Sequence, residues 1–171
     1  MNNTIPDTLF SEKQRFRQWW LWTLIIGLNA ITLGIILTQI IGGEPVGNRP
    51  AGILFHALNF AIIMGTTLLF LSFRLETMIT REAIQVRFFP FHRKYKIYSW
   101  DMIRKAYTRE YRPMTEYGGW GIRGFGGNRA LNVSGKHGLQ LDFTDGKKLL
   151  IGTQKAAEIE LVLKKLGKLK S

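Results

Sequence analysis

The sequence predicts a membrane α-helical hairpin joined to an α+β domain, in which antiparallel strands form a sandwich or open barrel closed by one C-terminal helix. Three observations carry that prediction. Two uncharged apolar stretches, 19–41 and 51–73, lie almost back to back. Beyond them, apolar and polar residues alternate with the period of two expected of half-buried strands. In the last segment, Ile159, Val162, Leu166 and Leu169 recur at helical spacing.

Each apolar stretch is long enough to cross a hydrocarbon core of about 30 Å as a helix. The intervening Gly42-Gly43-Glu44-Pro45-Val46-Gly47-Asn48-Arg49-Pro50 is rich in residues that stop a helix, so the chain turns back there. A secretory signal has a shorter apolar region followed by a small-residue cleavage site, and a soluble core helix seldom stays uncharged this long. Lys13, Arg15 and Arg17 precede the first span and Arg74, Arg81 and Arg87 follow the second, whereas the link offers Arg49 alone. Cations stay on the cytoplasmic side, so the expectation is a multi-pass protein of the inner (plasma) membrane with both termini cytoplasmic. Trp19, Trp20 and Trp22 fit an inner aromatic belt.

The expected division is a cytoplasmic segment at 1–18, the hairpin at 19–73, and a cytosolic domain at 74–171. Within that domain, strands are expected around 75–79, at Ile84, Val86 and Phe88, around 95–98, over 103–111, at Leu139, Leu141 and Phe143, and over 148–151. Asp145-Gly146 marks a tight hairpin before the last of these. Asn132-Val133-Ser134-Gly135-Lys136-His137-Gly138 reads as another turn. The strands are expected to form a meander. Thr153 is placed to cap the final helix, whose acids, Glu158 and Glu160, precede its lysines, Lys164, Lys165, Lys168 and Lys170, as the helix dipole favours.

Ile79-Thr80-Arg81-Glu82-Ala83-Ile84-Gln85-Val86 followed by Ile97-Tyr98-Ser99-Trp100-Asp101-Met102-Ile103 resembles the opening of bacterial pleckstrin-homology-like domains. Such domains commonly follow a pair of transmembrane helices. Tyr117-Gly118-Gly119-Trp120-Gly121-Ile122-Arg123 is similar to a Gly-Gly-Trp-Gly run in small membrane-anchored relatives, many without an assigned function. The resemblance implies a PH-like fold and a role in assembly or in contacts with proteins and lipids at the membrane. It carries over no catalytic residue.

The same glycine-rich stretch contains a G-x-G-x-x-G string from Gly119 to Gly124. The dinucleotide fingerprint needs a helix after its glycines, and no helical pattern follows here. Trp120 is either a core plug or an interface anchor, with Arg123 and Phe125 beside it. Ordering so many glycines is costly, which suggests that a neighbouring protomer holds the segment. In the spans, Asn29, His56 and Asn59 are polar groups that seek partners in hydrocarbon, and Gly27, Gly34, Ala61 and Gly65 are expected to let helix backbones approach.

The chain carries 24 Lys and Arg against 12 Asp and Glu, a net charge of +12. Nucleic acid is not expected as a partner, because no reader motif accompanies the charge. Anionic lipid is the more natural one. The basic early loop of lipid-binding relatives implies a headgroup site at Arg93, Lys94 and Lys96. The absence of cysteine excludes disulfides and thiolate metal sites, and His56, His92 and His137 follow no ligand spacing. Ser134 and His137 suggest no triad, and Glu110 and Glu116 only flank a loop, so no catalytic residue or cofactor is expected. The expected function is that of a non-enzymatic homo-oligomeric scaffold or platform for an unidentified protein partner; the alternative is an anionic-lipid-sensing or membrane-remodelling adaptor.

Overall fold

A computed structural model describes residues 7–42 and 52–169. The Gly/Pro link at 43–50, with Ala51 and Lys170, lies outside the described residues. The chain divides into two compact units: residues 17–72 form one, and residues up to Phe16 together with those from Phe73 onward form the other.

The smaller unit is two helices, α1 (Trp19–Gly42) and α2 (Ile53–Ser72), both long and apolar enough to cross a membrane. Few of their side chains are buried by protein, unlike those of a core helix. Asn29 Nδ2 donates to Thr67 Oγ1 at 2.9 Å, tying the two helices together, and also to its own helix at the Ile25 carbonyl. The glycines do not serve this contact as the sequence suggested. A Cβ added at Gly27, Gly34 or Gly65 meets nothing within 4 Å, so these backbones face open space rather than the partner helix.

The larger unit begins with β1 (Thr8–Arg15), which corrects the assignment of 1–18 to a separate segment. β1 pairs antiparallel with β2 (Arg74–Thr80), Arg15 opposite Arg74, so the strands that flank the hairpin in sequence are neighbours in one sheet. β3 (Ala83–Phe89) and β4 (Lys96–Ser99) complete that four-stranded meander. A 3-10 turn at Trp100–Met102 leads into β5 (Ile103–Glu110), followed by the short helix α3 (Pro113–Tyr117), β6 (Gly121–Arg123), β7 (Asn128–Asn132), β8 (His137–Phe143) and β9 (Lys148–Gly152). The second sheet runs β5-β8-β9-β7-β6. It is not a meander: β7 lies parallel to β9, and β5 pairs with β8 across the intervening segment.

One core lies between the sheets. Leu75, Ile79, Ile84, Val86 and Phe88 of the first face Leu131, Leu139, Leu141, Leu149 and Ile151 of the second, and Ile159 and Leu163 of α4 (Ala156–Lys165) complete it. The sheets are not joined into a closed barrel. Thr153 does not cap α4 directly. Its hydroxyl accepts from the Lys155 amide at 2.9 Å, a turn just ahead of the helix, and donates to Glu12 on β1. The helix ends where Gly167 takes φ +64°, and the chain then returns to bridge Leu169 to Ala106.

Candidate functional site

The β3–β4 turn is closed by the His92 amide donating to the Phe88 carbonyl at 2.8 Å. It carries Arg93 and Lys94 outward, and Lys96 follows at the start of β4; all three are exposed, and none forms an ion pair among the described residues. Phe91, 62% exposed, nonetheless lies with its ring 5.5 Å from that of Phe73 and 6.1 Å from that of Phe88. Phe16 adds a fourth ring, 5.8 Å from Phe73. Phe16 directly precedes Arg17, and Phe73 directly follows Ser72, so this cluster gathers both chain ends of the hairpin around the basic turn.

Beside it, the outer face of the first sheet is organised by Glu76. Lys13 and Arg87 sit opposite it in register on either side, at 3.6 Å and 2.5 Å, and Arg74 lies 3.2 Å away. Tyr95 donates its hydroxyl to the same carboxylate at 2.6 Å. Burial opposes the charged form of Glu76, but hydrogen bonds from Tyr95 and Arg87 and the charges of Arg87 and Arg74 outweigh it, holding the pKa below its usual value. The Arg74 guanidinium also covers the Phe89 ring at 4.4 Å.

The glycine-rich segment folds back onto its own domain. Asn132, fully buried, donates to the Tyr111 hydroxyl at 3.0 Å and accepts from the Gly121 amide at 2.8 Å. Tyr111, Ala130 and Leu150 form a second small core there, with Tyr117 against it. No helix follows the glycines: β6 lies among them and β7 comes next. Trp120 is half-buried, its indole N–H 3.5 Å from the Gly135 carbonyl and its own carbonyl accepting from Arg123 Nε at 2.9 Å. Trp120 and Arg123 therefore make their polar contacts within the chain. Phe125 does not: at the tip of the β6–β7 turn it is 96% exposed.

A polar groove of about 440 Å³, which the sequence did not signal, lies on the outer face of the second sheet between Tyr107, Arg109, Gln140 and the end of α3. Arg109 is held by Glu116 at 2.9 Å, by Gln140 Oε1 at 3.1 Å and by the Tyr117 hydroxyl at 3.3 Å. The hydrogen bond from Arg109 holds the Glu116 carboxyl below its usual pKa, so Glu116 stays ionised and engaged. Pro113 at the first helical position was the one available signal for α3, which brings Glu116 here.

Of the polar residues in the hairpin, Asn29 bridges the helices, while Asn59 donates to the Phe55 carbonyl of its own helix at 3.0 Å and His56 stands edge-on to the Phe55 ring. The structure therefore does not bring these three together. Among the described residues no cluster of His, Asp and Glu is placed to hold a metal ion. No model of a known protein family matches the chain, and no curated protein matches it.

Proposed function

We propose that the chain is a non-enzymatic, membrane-anchored module with a PH-like domain, held at the cytoplasmic face by its helical hairpin and touching anionic headgroups through Arg93, Lys94 and Lys96. The observation that carries this reading is the packing of Phe91 on Phe73. Phe73 is one bond from α2, so the turn bearing the cations is tethered beside the point where the chain enters the apolar hairpin. Aromatic rings favour the membrane interface, and each cation near an anionic surface contributes about 1 kcal/mol. Pairing of β1 with β2 supports placing both hairpin ends on one side of the bilayer, because a single folded sheet receives them both.

The test is hydrogen exchange of the full chain in nanodiscs of phosphatidylcholine with and without phosphatidylglycerol. Residues 91–96 are expected to gain protection with the anionic lipid, and the Arg93→Ala/Lys94→Ala/Lys96→Ala variant to lose that gain. Equal protection in both lipids would sink the reading.

Self-association is a second reading, favoured by the open faces of Gly27, Gly34 and Gly65 and by the exposed Phe125. Detergent-corrected light scattering on the full chain decides it: a defined multiple of the 19.6 kDa chain mass supports a homo-oligomeric scaffold, a monomer removes it.

A further inference from the structure

Strand alternation gathers a set of polar side chains on the outer face of the second sheet. Ala106, Leu131, Leu139, Leu141 and Leu149 point into the core, so Tyr107, Asn128, Gln140 and Lys148, which fall at the alternate positions of the same strands, point outward together. The register brings them close. Tyr107 lies opposite Gln140, and Lys148 lies opposite Asn128 on one side and Asp142 on the other. With Tyr117 of α3 they line the groove of about 440 Å³ beside Arg109, a volume within the range of ligand sites.

The charges of this groove are matched in pairs. Arg109 is 2.9 Å from Glu116, and Lys148 has the nearly buried Asp142 as its cross-strand neighbour. An anion therefore meets no surplus of positive charge here. The hydrogen-bonding groups, by contrast, are left with capacity. Gln140, only 3% exposed, offers its Nε2 to the Leu141 carbonyl at 3.4 Å and to Asp142 Oδ1 at 3.5 Å, and the Tyr117 hydroxyl reaches Asn128 Oδ1 at 3.4 Å. All three contacts are longer than the about 2.7–3.2 Å of a good hydrogen bond. The Tyr107 hydroxyl and Asn128 Nδ2 donate to no other group among the described residues. The two tyrosines share one space: burial is the first cause that raises the Tyr117 pKa, and the Tyr107 phenol adds to the rise.

An occupant that suits this groove is uncharged, polar around its rim and apolar on a face. A pyranose ring has that form, with hydroxyls at its edge and C–H bonds on its two sides. Tyrosine supplies apolar ring surface with a polar tip, and the side-chain amides supply donors and acceptors held in place by the sheet. We propose that the groove binds a pyranoside, with Tyr107 packed on the sugar ring and Gln140, Asn128 and the Tyr117 hydroxyl bonded to its hydroxyl groups. The site is separate from the β3–β4 turn and does not depend on that turn touching a membrane. The sugar belongs to a soluble glycoside or to the headgroup of a glycolipid.

The experiment uses the full chain in phosphatidylcholine nanodiscs. Saturation-transfer NMR is run with the methyl glycosides of glucose, galactose, mannose and N-acetylglucosamine, and with adenosine as a ring compound of another class. In a second arm, hydrogen exchange at 107–109 and 113–117 is compared between nanodiscs with and without glucosyl and galactosyl diacylglycerol. Saturable transfer to the ring C–H groups of at least one methyl glycoside, weakened about tenfold in Tyr107→Ala and unchanged in Arg93→Ala/Lys94→Ala/Lys96→Ala, supports the site and a soluble ligand. Protection that appears only with a glycolipid and is lost in Tyr107→Ala supports the site and a lipid-borne sugar. Tyr107→Phe, which keeps the ring and loses the hydroxyl, is expected to bind better than Tyr107→Ala. A circular dichroism melt checks that Tyr107→Ala is folded; should its melt fall, Asn128→Ala, at an exposed position, takes its place and is expected to weaken binding likewise. Binding of adenosine but of no pyranoside, absence of both saturable transfer and glycolipid-dependent protection, or equal binding by the wild type and the folded variant overturns the proposal.

Discussion

Glu12 and Thr153, 141 residues apart, are joined by a hydrogen bond of 2.5 Å from the threonine hydroxyl to the carboxylate. The other Glu12 oxygen accepts from the Gln154 amide at 2.9 Å, and Gln14, next on the same face of β1, donates to the Gly152 carbonyl at 2.7 Å. The first strand is thereby stitched to the β9–α4 junction across the domain. Because Glu12 is nearly buried, removing it strands the hydroxyl and the amide away from water. Glu12→Ala is expected to cost about 1–3 kcal/mol in a denaturant titration of the full chain in micelles, with Glu12→Gln costing less. A cost near zero would mean that β1 is dispensable.

The same stitching fixes which pieces of the chain fold. A fragment starting at Arg74 lacks β1, exposing the edge of β2 and the core side chains that Phe10 covers. It is expected to be unfolded or aggregated, since an unpaired hydrophobic edge invites other strands. Replacing residues 17–72 by a two-residue Asn-Gly turn should instead give a folded soluble domain, because Arg15 and Arg74 are already paired in antiparallel register. Dispersed NMR amide signals for the joined chain, and collapsed ones for the fragment, are the expected pair of outcomes.

The strands that the sequence announced are those whose inward residues are all apolar: Ile84, Val86 and Phe88 on β3, Leu139, Leu141 and Phe143 on β8. β1 was illegible because its inward set is Phe10, Glu12 and Gln14, two of which bury a hydrogen-bonding end rather than a hydrocarbon one. β7 was hidden for another reason. Four of its five residues pair with β9, which is distant in sequence and parallel, so no local turn signals that pairing. At the candidate site the cations Arg93, Lys94 and Lys96 were readable as a run, while the stack of Phe91 on Phe73 needed the fold.

Acid stability should report on Glu76. Its pKa is lowered in the folded protein, so the native state binds fewer protons there than the unfolded chain near the ordinary carboxylate range. That contribution is fully present above the unfolded pKa and is lost as pH falls through the depressed folded value. Glu76→Gln is expected to lower stability by about 2 kcal/mol at neutral pH, where Arg74, Arg87 and Lys13 lose their shared counter-charge. The gap between wild type and variant should narrow on acidification. Melting curves from pH 7 down to pH 3 check this, and a constant gap would contradict it.

Gly124 is the glycine whose replacement should be least tolerated. It takes φ +86°, and a Cβ built there collides with the Asn128 carbonyl oxygen, which belongs to the paired strand and has little room to move. Gly126, at φ +60°, meets nothing within 4 Å. Gly124→Ala should therefore cost more than about 1 kcal/mol and Gly126→Ala only the left-handed backbone penalty of about 1 kcal/mol. Comparison of the two melting temperatures separates the steric part from the conformational part.

The glycine segment also decides which aromatic residue can report on contacts between chains. Asn132 holds the segment from beneath, and Asn132→Leu leaves the Tyr111 hydroxyl and the Gly121 amide without their partner, at a cost of about 2 kcal/mol. Faster exchange of the Gly121 amide should accompany that loss. Trp120 rests half-buried on its own chain, so Trp120→Ala perturbs the segment itself, and any change in assembly it causes confounds folding with contact. Phe125 packs on almost nothing in its own chain, so Phe125→Ala should leave the melting temperature unchanged. If the segment meets a second protomer, Phe125→Ala lowers the mass measured by light scattering while stability stays constant. An unchanged mass in Phe125→Ala, beside a multimeric wild type, moves the contact to the helices and their open glycine faces.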